Sequence, residues 1–152
     1  MNIEKRLAEL GIELPASPAP IANYLGCKRT GDLVLVSGQG PIINGKQLYT
    51  GKVGREVSPE EAYQAARACG INLLSQLKTF LGDLNRIKQI VHVKGFVASA
   101  DDFTSQPGVI NGCSDMLVEI FGEEKGKHTR CALGVNVLPT DIPVEIEMMV
   151  EV

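Results

Sequence analysis

Arg130 and Glu145 are the residues of this chain best suited to act together chemically. A guanidinium holds a carboxylate in two parallel hydrogen bonds, and a carboxylate beside it can orient and polarise a water. Cys131 to Leu138 and Val144 to Val152 are alternating segments on either side of Pro139-Thr140-Asp141-Ile142-Pro143. They predict paired strands with a short connection, which places Arg130 and Glu145 on neighbouring strands. With Val144, Ile146, Met148 and Val150 facing the core, Glu145, Glu147, Met149 and Glu151 face the other way. The same spacing also fits a plain cross-strand ion pair, which contributes little when exposed.

The elements that must position these residues can be read backwards along the chain. Val109 to Phe121 has the spacing of a helix stopped by Gly122, which leaves Gly122 to Lys127 as a loop. Ile87 to Ala98 reads as a long strand, with His92 half-buried and hydrogen-bonded. Ser58-Pro59-Glu60-Glu61 starts a helix running to Leu81 and ending at Gly82: a serine cap, proline in the first turn, and a glutamate to complete the capping box. Its apolar stripe is Ala62, Ala65, Ala66, Cys69, Leu73, Leu77 and Phe80, whose small alanines let the helix lie close on a sheet. Ile21 to Cys27 and Leu33 to Ser37 read as a hairpin turning through Lys28 to Asp32. Pro15, Pro18 and Pro20 predict an extended surface segment after a short amphipathic helix ending at Gly11. The glycines from Gly38 to Gly54 lack a phosphate-loop ending and are read as turn and bulge positions. The pattern predicts one α+β domain over residues 1–152, with two helices covering one face of a mixed sheet. The other sheet face then needs a second subunit.

Composition narrows the function classes. The chain has 152 residues, 44% hydrophobic and 22% charged, as expected of one folded domain. A net charge of −3 argues against a nucleic-acid partner, which demands excess lysine and arginine. Cys27, Cys69, Cys113 and Cys131 form no C-x-x-C pair, and His92 and His128 cannot complete a metal set, so zinc is not expected. The N-terminus has no apolar signal core and no run is long enough to span a bilayer, so the expected location is cytoplasmic, with thiols reduced and no membrane partner.

Arg130 to Leu138 with Val144-Glu145-Ile146 resembles the C-terminal signature of the reactive intermediate deaminase family, also called Rid, YjgF or endoribonuclease L-PSP. Tyr24, Val36-Ser37-Gly38-Gln39-Gly40-Pro41, the strand ending in Val97, and Asn111 extend the likeness over nearly the whole chain after an N-terminal extension of residues 1–16. The resemblance implies a chorismate-mutase-like fold of the bacillus type, assembled as a homotrimer with ligand clefts between subunits. It also implies hydrolysis of enamine or imine intermediates of the 2-aminoacrylate type to a 2-keto acid and ammonia, with no cofactor or metal. Carried over by position, Arg130 grips the substrate carboxylate and Glu145 positions the attacking water. Tyr24 and Asn111 contact the ligand, Ser37 and Gly38 offer backbone groups, and Ala132 contributes its carbonyl where the family commonly has cysteine.

The chain departs from the pattern at His128, where a small residue or proline is common, at Asn136, and in the longer 122–127 segment before the arginine. These departures fit a divergent branch. The alternative function is a non-catalytic module that binds keto or amino acids through the same arginine. A ribonuclease is disfavoured by the acidic balance, and a chorismate-mutase-like isomerase by the lack of an arginine-rich cleft.

Overall fold

The computed structural model describes residues 1–152. Its central element is a five-stranded sheet in the order β1-β2-β7-β5-β6, where β1 is Cys27–Thr30, β2 Leu33–Gln39, β5 Gln89–Ala98, β6 Thr129–Val135 and β7 Val144–Glu151. A separate two-stranded ribbon pairs β3 (Ile42–Ile43) with β4 (Lys46–Gln47). Asn44 and Gly45 make its turn at φ 50° and 77°, the left-handed pair that a two-residue hairpin requires. β5 and β6 run parallel and all other pairs antiparallel.

This order corrects the expectation that Arg130 and Glu145 lie on adjacent strands. β6 reaches the sheet through a helical crossover from β5 and pairs only along that outer edge. β7 then inserts between β5 and β2. Sequence-adjacent strands are usual neighbours, but a βαβ unit can claim one side of its first strand before the hairpin partner arrives. Arg130 pairs with Val93 and Glu145 with Phe96, so β5 separates them.

Two helices cover one face. In α2 (Pro59–Leu81) the Ser58 hydroxyl accepts from the Glu61 N–H at 3.1 Å and the Glu61 carboxylate accepts from the Ser58 N–H at 2.9 Å, completing the predicted capping box. α3 (Gln106–Gly126) is longer than its apolar stripe suggests. Gly122 breaks it at φ 80°, and the chain then resumes one more turn instead of forming a loop. The helices approach closely through glycine: a Cβ on Gly112 would sit 2.0 Å from the Tyr63 carbonyl oxygen, and one on Gly95 of β5 would sit 2.3 Å from Ile110 Cδ1. α3 is thereby pressed onto β5 and β6. Val93, Val97, Ile110, Leu117 and Ile146, each fully buried, fill the space between layers.

The N-terminal segment is docked. α1 (Ile3–Glu9) is capped by Asn2, buries Ile3 and Leu7, and packs beside a 3-10 turn (Leu84–Arg86) and the far end of α3, with Arg6 Nε donating to the Glu119 carbonyl at 3.1 Å. The following proline segment runs along α2, where the Ser75 hydroxyl donates to the Pro15 carbonyl. The first hairpin differs from expectation: residues 21–24 are bends, β1 begins at Cys27, and Gly31 at φ 58° allows a two-residue turn before β2. The second face of the sheet carries no helix and exposes Leu35 and Leu133. No helix is long and apolar enough to cross a membrane.

Candidate functional site

The expected site residues fall into two groups on opposite faces of the sheet. Alternation fixes the sides. Arg130 shares the helix-covered face with its partner Val93, whereas Glu145 alternates with fully buried Val144 and Ile146 and lies on the uncovered face. Two strand spacings and three residues of rise put their Cα atoms roughly 14 Å apart. They form no ion pair, so the simple cross-strand reading is excluded within one chain.

The first group is Arg130, Asn111 and Ala132. Arg130 enters under the first turns of α3, where Nη1 donates to Asn111 Oδ1 at 2.8 Å and to Ser114 Oγ at 3.2 Å, and Nη2 to the Pro107 carbonyl at 3.4 Å. Residues 107, 111 and 114 make one stripe of the helix. Three of the five guanidinium N–H groups are thus occupied, and Nε–H with one Nη2–H is left for a ligand. Ala132 follows on the same face, half-buried against the core and paired with Gly95. Ser114 carries no chemical signal of its own in the sequence, yet it lies one turn beyond Asn111, and helical spacing is enough to find it. His128, a departure from the family pattern, joins the same cluster: its Nε2 is 3.0 Å from Ser114 Oγ and its Nδ1 is 2.7 Å from the Gly126 carbonyl.

The second group is Glu145, Gly38, Ser37 and Tyr24. The register of β2 on β7 slips between Val36 and Gln39, so Ser37 and Gly38 form a bulge opposite Glu147. A Cβ on Gly38 would lie 3.2 Å from Glu145 Cδ, so this position brings bare backbone against the carboxyl group. The Ser37 N–H and hydroxyl both turn back, to the carbonyls of Gly26 and Leu25. Tyr24 precedes that anchor and is 55% exposed. Glu145 is half-buried, and burial first, with Glu147 second, holds its carboxyl above the ordinary value. Such a group can exchange a proton closer to neutrality than a surface glutamate.

The cysteines divide by burial. Cys27, Cys69 and Cys113 are buried, and burial pushes Cys113 up to about 12 and Cys27 to about 11. Cys131 is exposed on the uncovered face, paired with Lys94 and turned away from Arg130. His92 is half-buried and bonded through Nδ1 to Thr129 Oγ1 at 2.8 Å, as anticipated.

A mixed sheet with both long helices on one face, an arginine clamped under the second helix and a desolvated glutamate at a bulge define an α+β domain of the chorismate-mutase-like class. Residues 4–152 match the family described as "YjgF/chorismate_mutase-like, putative endoribonuclease", and the chain belongs to that family. It is 42% identical over 150 residues to Protein TCP17 of Trypanosoma cruzi, covering 99% of this chain and 94% of the relative. The crystal structure of Atu1372 from Agrobacterium tumefaciens, of unknown function, is similar at TM-score 0.92 and 44% identity, with 99% and 92% of the two chains covered. A protein of the same endoribonuclease description from Shewanella oneidensis reaches TM-score 0.95 at 35% identity, with both chains fully covered. TdcF of E. coli, solved with bound serine, has the same fold at TM-score 0.62 and 19% identity, with 90% and 93% covered.

Proposed function

We propose that the chain assembles as a homotrimer and hydrolyses small carboxylate-bearing enamines or imines, of the 2-aminoacrylate type, to a 2-keto acid and ammonia. The observation that carries this reading is the division of the site. One chain presents a carboxylate receptor on one face and a raised-pKa carboxyl on the other, too far apart to share a small ligand. A neighbouring subunit laid against the uncovered face would bring its own half to complete each cleft. The exposed Leu35 and Leu133 on that face, and the unpaired outer edge of β6, favour such a contact. Serine bound to TdcF is a ligand of the right size and charge.

The chemistry needs no covalent bond to the protein. The two free N–H groups of Arg130 take the substrate carboxylate side-on. Asn111 holds the guanidinium rather than the ligand in the free chain, while Tyr24 and the Ser37–Gly38 backbone line the other side. Glu145 accepts a proton from water as its oxygen bonds to the imine carbon. With the imine entering in its protonated form this step gives a neutral carbinolamine; Glu145 returns the proton to the nitrogen, and the C–N bond breaks as the hydroxyl proton passes to Glu145, leaving the keto acid and ammonia. The Ala132 carbonyl is a second acceptor for the water. Positioning supplies most of the rate and proton transfer about 10²–10⁴-fold.

Ammonia release from freshly generated imines, followed over a panel of parent amino acids, tests the reading. Wild-type protein accelerates release and Glu145→Gln loses about 10²–10⁴-fold in kcat while still binding 2-keto acids. Binding without acceleration, unaltered by Glu145→Gln, would replace the enzyme with a binding module. Light scattering tests the assembly, expected at three times the 16.3 kDa chain mass; a stable monomer would remove the cleft.

A further inference from the structure

His128 has a hydrogen-bond arrangement that its neighbours dictate. The Gly126 carbonyl can only accept, so Nδ1, 2.7 Å away, must carry the ring proton of the neutral imidazole. Nε2 is then an acceptor, and the group facing it at 3.0 Å is the Ser114 hydroxyl, which must donate. With its hydrogen committed to His128, Ser114 Oγ turns its lone pairs to Arg130 Nη1 at 3.2 Å. The chain of donors therefore runs in one direction, from Arg130 to Ser114 to His128, and separately from His128 to the backbone of the extra helical turn after Gly122.

We infer that His128 is a positioning residue: as the neutral Nδ1–H tautomer it fixes Arg130 through Ser114 and thereby sets the carboxylate affinity of the site. The inference rests on the reading of Arg130 as the carboxylate receptor. It also assigns a purpose to the turn Glu123–Gly126, whose last carbonyl selects the tautomer. The environment favours the neutral form. Burial, then Arg130 on β6 and His92 on β5, push His128 below its ordinary value, against the Gly126 carbonyl, which raises it. From α3 the groups facing the ring are the Ser114 hydroxyl and the Gly126 carbonyl, neither charged.

Protonation of His128 would put a hydrogen on Nε2, so that the Ser114 hydroxyl loses its acceptor and its oxygen is shared between two cationic donors, Nε2–H and Arg130 Nη1. The relay thus makes carboxylate binding weaken as pH falls through the depressed His128 value. Simple electrostatics gives the opposite sign, because a second cation beside Arg130 attracts an anion. That opposition makes the test decisive.

The first measurement is ¹⁵N NMR of the histidine rings in the whole protein, with His128→Gln used to assign the signals. The expected result is a protonated Nδ1 and a bare Nε2 at about pH 7.5. An Nε2–H tautomer overturns the relay whatever the ligand does. The second is calorimetric binding of 2-oxobutyrate from about pH 8 to about pH 5. Wild type should weaken about three- to tenfold over the range. His128→Gln, whose amide oxygen can still accept from Ser114 but does not titrate, should stay within about threefold and lose the acid limb. His128→Leu and Ser114→Ala should be weak throughout, with KM raised and kcat little changed. Tighter binding at low pH, or a pH response kept in His128→Gln, overturns the inference. Arg130→Ala separates the two levels. If wild type and Arg130→Ala are equally unable to bind 2-oxobutyrate, the receptor reading itself fails and the relay's role fails with it. If only the pH trend is wrong, the receptor stands and the relay falls.

Discussion

The two halves of the candidate site are built on opposite principles. Around Arg130 every polar contact is made by the chain itself: Asn111, Ser114 and Pro107 take three donors, and Ser114 is in turn held by His128. Around Glu145 the chain makes close approach without satisfaction. Gly38 brings backbone to within a Cβ's reach, burial and Glu147 both disfavour the charge, and no hydrogen bond or salt bridge answers the carboxylate. A preorganised receptor stays put while ligands come and go, whereas a carboxyl that must take up and release a proton is better left unsatisfied. One half should therefore behave as structure under mutation and the other as stored strain.

The scaffold of the receptor is the place to break that comparison most severely. Gly112→Ala would drive a methyl group into the Tyr63 carbonyl at 2.0 Å and force α3 off α2. We expect about 3 kcal/mol of lost stability, a drop in Tm of roughly 10 °C, and weaker carboxylate binding in whatever remains folded. Thermal melts with 2-oxobutyrate titration check both. A mild change in Tm with binding intact would mean that α3 does not set the receptor. Next in size is Arg130→Lys. An ammonium cannot satisfy Asn111, Ser114 and Pro107 while still offering a side-on fork, so affinity for every 2-keto acid should fall by about 1.5–3 kcal/mol, or roughly 10- to 150-fold.

Gly38→Ala sharpens the contrast from the other side. Its new methyl would lie 3.2 Å from Glu145 Cδ, but that carboxyl is half-exposed and can swing aside. Stability should change by less than about 0.5 kcal/mol while kcat falls about tenfold through displacement of the carboxyl. Equal losses in stability and turnover would show that the bulge is a packing device.

Much of this architecture is legible in the amino-acid sequence. The capping box at Ser58, the glycine stop at Gly82, the long strand to Ala98 and the core alternation of Val144 to Val150 are local signals, and each element forms where its chemistry requires. Strand order is not legible in the same way. Alternation tells which residues share a face of one strand but not which strand lies beside it, and β5 captures β6 from the far side of its helix. That is why the spacing points to Arg130 and Glu145 as neighbours while the fold sets them on opposite faces. Gly122 misleads for a related reason: a left-handed glycine ends a helix or merely interrupts it, and here the resumed turn packs Gly126 against the Leu117–Val118 backbone and bonds its carbonyl to His128. Asn111 is placed by resemblance, while its neighbour Ser114 needs the helix to be drawn as a surface.

The smallest predicted effect is the most direct test of stored strain. Because the folded chain holds the Glu145 proton more tightly than the unfolded chain does, folding takes up a proton between the ordinary value near 4.5 and the raised folded value. Stability from this group is greatest below that window. It declines as pH rises through the window and stays reduced above it, where a charged, unanswered carboxylate is carried into a half-buried place. Glu145→Gln keeps the shape and removes the charge. At about pH 7.5 the variant should therefore melt at or slightly above the wild-type temperature, and the gain should vanish below the ordinary carboxylate value, where wild type is itself neutral. Arg130→Ala, by contrast, should destabilise at both pH values, because it removes three hydrogen bonds to α3 and leaves the half-buried Ser114 oxygen without its donor. A Glu145→Gln variant that melts lower than wild type at neutral pH would mean the carboxylate is held by favourable contacts, and the division between a satisfied and an unsatisfied half would be lost.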